Sequence, residues 1–206
     1  MKAAIPPEAT GPALPSAYAR FRTALDSGYS LSDLGFRTTR AEVFRFANRF
    51  RVARAFRGVD LTHYSAPTVR AYGALFRIFV TWSCLEQYLK VLGAKDGDAL
   101  LESGERQACL AAIRAADTGG NFVNGVCDRT RDLKLVRVVK LCINGTEDRI
   151  VPVVRAVRHS FAHGDLAPGA NRAKPGVAQA MAKSVCPILL EAIDRDFTRR
   201  VEAALV

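Results

Sequence analysis

Two of the chain's three histidines stand four residues apart in the stretch RHSFAHGDLAP, Arg158 to Pro168. Arg158 lies directly before His159, and Gly164 directly after His163. Imidazole exchanges a proton near neutral pH, with an ordinary pKa of about 6.5. Guanidinium stays charged and offers a planar fork to phosphate oxygens. These are parts for cutting RNA without a metal. A base takes the proton of the 2′-hydroxyl, an acid protonates the leaving 5′-oxygen, and a cation stabilises the charge that builds on phosphorus. The i,i+4 histidines also share one helix face with Asp165 nearby, but without the glutamate of an HExxH motif they assign no metal.

That chemistry needs a rigid element beneath it. The segment from Arg149 to His163 has helical periodicity, and Gly164 is its natural terminator. His163 would then sit at the negative end of the helix dipole, where cations are stabilised. Thr146 or Asp148 in NGTED is the expected N-cap, with Pro152 in the first turn. Elsewhere the pattern is also helical. Short or medium helices are predicted over Tyr18 to Leu25, Thr39 to Phe56, and Glu105 to Ala116. A long one starts after Pro67 and stops at Gly93. The second of these buries Val43, Phe46, Ala47, Phe50 and Ala53, with Arg45 and Arg49 on the opposite side. Those two arginines are either a solvated basic face or a surface that tracks phosphates.

In the long segment, Trp82, Leu85, Leu89 and Leu92 form a core stripe, and Glu86 is spaced to pair with Lys90. DTGGNFVNG reads as a break. Asp132 to Cys142 is rich in β-branched residues, yet no partner strand exists, so a helix is expected. The last helix spans Val177 to Leu205 with Pro187 inside it, where a kink is expected. The fold expected is one all-α domain over residues 16–206, a bundle of five to seven helices. Residues 1–15 form a Pro-rich leader ahead of it.

The 206 residues suffice for a substantial core, and 49% hydrophobic against 24% charged is a globular balance. The formal net charge of +10 suits a polyanionic partner, nucleic acid above all. Five cysteines, an odd number without a C-x-x-C, give neither a disulfide framework nor a zinc knuckle. Free buried thiols in a cytoplasmic protein are the expectation. No signal-peptide pattern, apolar run of membrane-spanning length or P-loop is present.

Arg158, the polar His159, SFA, His163 and Gly164 together resemble the R-x4-6-H motif of HEPN domains. WSCLEQYLK resembles the early HEPN helix whose acidic residue, here Glu86, faces the site. The resemblance covers about residues 66–205. It implies an all-α HEPN-like bundle, a homodimer with its active site at the interface, and RNA as substrate. It implies no cofactor and no metal, and the lack of an apolar run of membrane-spanning length implies no membrane partner. His163 would transfer protons, Arg158 would bind the scissile phosphate, and His159 would orient or assist. Glu86, Arg155, Arg45 and Arg49 complete the expected substrate-binding set. The activity implied is metal-independent endonucleolysis leaving a 2′,3′-cyclic phosphate, in a toxin, defence or RNA-processing role with an antitoxin as a further partner. HEPN toxins controlled by nucleotidyltransferases often carry Tyr two residues after the motif histidine. Asp165 stands there, so that mode of control is not implied.

Arg158 and His163 lie five positions apart, about 140° around a helix, so one copy does not aim both at one phosphate, whereas a dimer brings two copies to a shared cleft. A second match to the spacing, Arg57 to His63 across GVDLT, lacks a helix to hold it. An inactive HEPN-like module that binds nucleotide, nucleic acid or protein keeps the same features without turnover. A DNA-binding protein fits the charge, but no helix-turn-helix is legible.

Overall fold

The computed structural model describes residues 14–206 and is all-α, with no strand among the described residues. Its helices are α1 (Tyr18–Asp26), α2 (Arg40–Ala55), α3 (Ala66–Leu92), α4 (Ser103–Ala116), α5 (Asn121–Arg129), α6 (Leu133–Ile143), α7 (Val151–Ala162) and α8 (Pro175–Ala204). Single 3-10 turns occur at Asp98–Leu100 and Ala170–Arg172. Most of the expected Pro-rich leader, residues 1–13, falls outside the described residues.

Eight α-helices exceed the five to seven expected, and the addition is α5, inside the Gly- and Asn-rich run read as a break. Gly120 enters it with φ 65, a left-handed conformation that suits glycine. Asp117 then accepts from the amides of Phe122 and Val123 at 3.2 and 2.9 Å, satisfying donors that the first turn leaves orphaned. Burial of Phe122, Val123 and Val126 supplies the drive. Gly125 lets Asn171 close on this helix, because a Cβ there would lie 3.3 Å from the Asn171 side chain.

The start of α7 departs from expectation as well. Neither Thr146 nor Asp148 caps it. Asp98 Oδ1, 52 residues earlier, accepts from the Ile150 and Val151 amides at 2.8 and 3.0 Å. Burial pushes the Asp98 carboxyl up, against the pull of those two amides. Asp148 instead receives hydrogen bonds from Ser103 Oγ at 2.8 Å and Arg106 at 3.0 Å.

The long helices α3 and α8 pack together at the centre, with α2 and α7 against α3, and α4 against α8. The predicted stripe of α2 is buried in full, so the N-terminal third belongs to the bundle core. Phe21, Phe36 and Phe46 surround Phe197 with ring centroids 5.2–5.7 Å apart. Each fully buried ring of this kind contributes about 1.5–3 kcal/mol from apolar burial. The polar link in the same region is Tyr88, whose hydroxyl donates to Asp196 Oδ2 at 2.8 Å, while Arg200 reaches that oxygen at 2.7 Å. Burial raises the Asp196 carboxyl, but hydrogen bonds from Arg200, Arg199 and Tyr88 outweigh it and hold the group below the usual carboxylate range. At the chain's two ends, the Ser16 amide and hydroxyl both donate to Asp194 of α8, at 2.6 and 2.8 Å.

α8 runs unbroken through Pro187. By length and mean hydropathy alone, 1.3 over its most apolar window, it would be able to cross a membrane, yet its apolar residues form the centre of the bundle. All five cysteines are buried and unpaired. Desolvation pushes the thiols of Cys109, Cys142 and Cys186 up to about 11, which leaves them protonated and unreactive at neutral pH.

Candidate functional site

The two histidines come together at the open end of α7. Val151–Ala162 is fixed at its N-terminus by Asp98 and in its last turn by Ser160, whose buried hydroxyl meets Thr130 Oγ1 of the α5 end at 3.3 Å. The C-terminus closes as a Schellman turn. The Asp165 amide donates to the Ser160 carbonyl and the Gly164 amide to the Phe161 carbonyl, both at 3.0 Å, with Gly164 at φ 76. His163 is therefore the C-cap, exposed, at the negative end of the dipole. One turn earlier His159 is half-buried, and the two rings meet edge to face with centroids 4.5 Å apart.

Positive charge surrounds this pair. Desolvation is the first cause of a lowered His159 pKa, followed by the charges of His163, Arg158, Arg155 and Arg131. His159 is consequently neutral near pH 7 and able to accept a proton. Arg158 lies over the Phe79 ring at 5.7 Å and pairs with Glu86 at 3.9 Å. Its Nε is buried without a hydrogen-bond partner among the described residues. Arg155 projects to the exposed surface and reaches Asp132, the N-cap of α6, at 4.0 Å. Among the described residues, no hydrogen bond or ion pair joins Arg158 to His163.

Glu86 thus faces the motif, and its expected pairing with Lys90 is replaced. Lys90 reaches Glu42 at 3.0 Å, because α2 brings that carboxylate across α3. Arg45 also pairs with Glu42, at 2.8 Å, so its charge is offset. Arg49 donates to the Ser83 carbonyl at 3.2 Å and borders an apolar groove with Phe79, the ring beneath Arg158. Arg49 is accordingly nearer to the motif arginine than Arg45 in its contacts, and neither is a free basic face. Arg57 and His63 sit in the loop between α2 and α3, with no helix between them.

Three participants have no local signature in the sequence. Arg131 acts on His159 only because α5 and α7 pack together. Phe79 is one more apolar residue of α3 until Arg158 lies on it. Phe161 meets the exposed Phe76 ring edge to face at 5.0 Å, beside the histidines. A cleft of about 410 Å³ adjoins the site through Glu86 and Arg155, with Trp82 and Leu135 on its apolar wall. A larger cleft of about 730 Å³, along α8 from Glu191 to Val206, is lined by none of the motif residues. No cluster of three His, Cys, Asp or Glu side chains able to hold a metal occurs among the described residues. The arrangement is a proton-exchanging pair at the edge of a cationic surface, a place where a phosphodiester would be attracted and its neighbouring hydroxyl deprotonated. The chain matches no protein-family model, no curated protein and no solved structure.

Proposed function

We propose that this protein is a HEPN-like, metal-independent RNA endonuclease. The observation that carries the reading is the His159–His163 pair, 4.5 Å between ring centroids, within reach of the charges of Arg131, Arg155 and Arg158. In this mechanism an imidazole removes the proton from a ribose 2′-hydroxyl. The oxygen attacks phosphorus, the 5′-oxygen leaves and takes a proton, and a 2′,3′-cyclic phosphate and a 5′-hydroxyl remain. His163 is the principal proton-transfer residue because it is exposed at the helix end. His159, kept neutral, assists as acceptor. Arg158 stabilises the phosphate once it exchanges Glu86 for the substrate. DNA, without the 2′-hydroxyl, resists.

The homodimer belongs to the same proposal. Phe76 is 38% exposed and pairs with Phe161 beside the motif, an apolar surface that a second copy would cover. Such a dimer supplies the convergence of arginine and histidine that one copy lacks. A toxin or defence role, with a protein that silences it, would follow from the family.

One observation favours a second reading, a module that binds RNA without cutting it. Arg158 is already engaged by Glu86 and Phe79 and does not touch His163. Cleavage of a labelled structured RNA in EDTA, wild type against His163→Ala, separates the two. Cutting by the wild type alone, with a cyclic phosphate end, supports the nuclease. RNA binding without cutting by either protein supports the module, and cutting only with a divalent ion removes the proposed chemistry.

A further inference from the structure

A second basic region lies away from the histidines. The loop after α2, the first half of α3 and the start of α8 enclose a cleft of about 390 Å³. Four cations line it: Arg57, Arg70, Arg77 and Lys183. No aspartate or glutamate does. Among the described residues, none of the four forms an ion pair, although twelve ion pairs occupy other cations of this chain. Arg77 is half-buried, and its Nε has no hydrogen-bond partner among the described residues. A buried donor left unmatched is unfavourable, and gathering like charges around one concavity adds repulsion to it. Such a site is relieved by an anion. Phe56 and Val69 give it an apolar wall.

We infer that this cleft binds a linear triphosphate group. The four cations converge from three segments on one concavity rather than running along a helix. Dense charge on the ligand therefore matches them better than a single phosphate or the spaced charges of a nucleic-acid backbone. Arg70 and Arg77, seven residues apart, are two turns apart on one face of α3, so they can bracket a linear group. Planar guanidinium forks suit phosphate oxygens, and Lys183 adds a point charge from α8. The triphosphate can belong to a free nucleotide or to the 5′ end of an RNA. The site is independent of the cleavage chemistry, and its test reads binding alone.

The experiment is calorimetric titration of the whole protein with inorganic tripolyphosphate, repeated with Arg70→Glu and Lys183→Glu. Both side chains are exposed, and Arg70→Gln and Lys183→Gln serve if a charge reversal impairs folding. The expected result is one site per chain, weakened at least tenfold by each reversal, with a wild-type melting temperature that rises with ligand. ATP, and one RNA carrying either a 5′-triphosphate or a 5′-hydroxyl, then identify the source. Preference for the triphosphorylated RNA assigns the cleft to RNA ends, and ATP binding as tight as tripolyphosphate assigns it to free nucleotides. No binding, binding that the four variants leave unchanged, or RNA binding lowered equally for both 5′ ends overturns the proposal.

Discussion

An arginine and a later histidine with four to six residues between them occur twice in this chain, and the two copies fare differently. Arg158 to His163 lies on α7, held by Asp98 at one end and by the Gly164 turn at the other. Arg57 to His63 lies in a loop, with His63 at φ 66 and no helix between the two. In the first copy the histidine joins a second imidazole in a cationic setting. In the second the arginine turns to a cleft of cations and the histidine stays exposed outside it. A spacing becomes a site only when an element fixes its side chains, and on the proposed readings the two regions divide the labour accordingly: one would move protons, the other would only hold charge.

The largest expected effect tests that division directly. His163→Ala lowers RNA cleavage by about 100- to 10,000-fold, the usual weight of one acid–base group, while His63→Ala leaves it unchanged. Equal losses from both would erase the contrast. Next comes the support for α7. Asp98→Ala removes its remote cap and costs about 1–2 kcal/mol, read as a lower midpoint in urea and faster amide exchange at Ile150 and Val151. Gly164→Ala forces a Cβ into the left-handed region and costs about 1 kcal/mol, with the exchange gain confined to the helix end.

The smallest effect is a titration. The His159 ring protonates below pH 6.5 in an NMR titration, and Arg155→Gln moves its midpoint upward. The sign for stability follows. The unfolded chain holds this proton more tightly, so the contribution of His159 is intact above about pH 6.5 and declines as pH falls from there through the folded midpoint. A midpoint at or above 6.5 would show that the surrounding arginines do not act on it.

Local patterns carried far in this sequence. The apolar stripe of α2, the glycine ends of α3 and α7, and the helical choice for Leu133–Ile143 are all seen in the structure. The motif histidines were legible because composition made them rare. What escaped was supplied from a distance. Asn121–Arg129 is helical because Asp117 and Asn171 satisfy and cover a weak sequence. The cap of α7 comes from Asp98, and Lys90 is taken from Glu86 by Glu42 of another helix. No window of neighbouring residues contains such partners.

The contact between Ser16 and Asp194 closes the chain across 178 residues, next to the ring cluster of Phe21 and Phe197. At synthesis rates of about 5–20 residues per second, roughly 9 to 36 seconds separate the appearance of these partners. Until α8 leaves the ribosome, Phe21 has no Phe197 to meet, and the cluster that locks α1 in place stays open. The nascent chain therefore holds Phe21 without its α8 partner until Phe197 has emerged. A truncated chain lacking α8 would keep that cluster open, a ready target for chaperones and proteases.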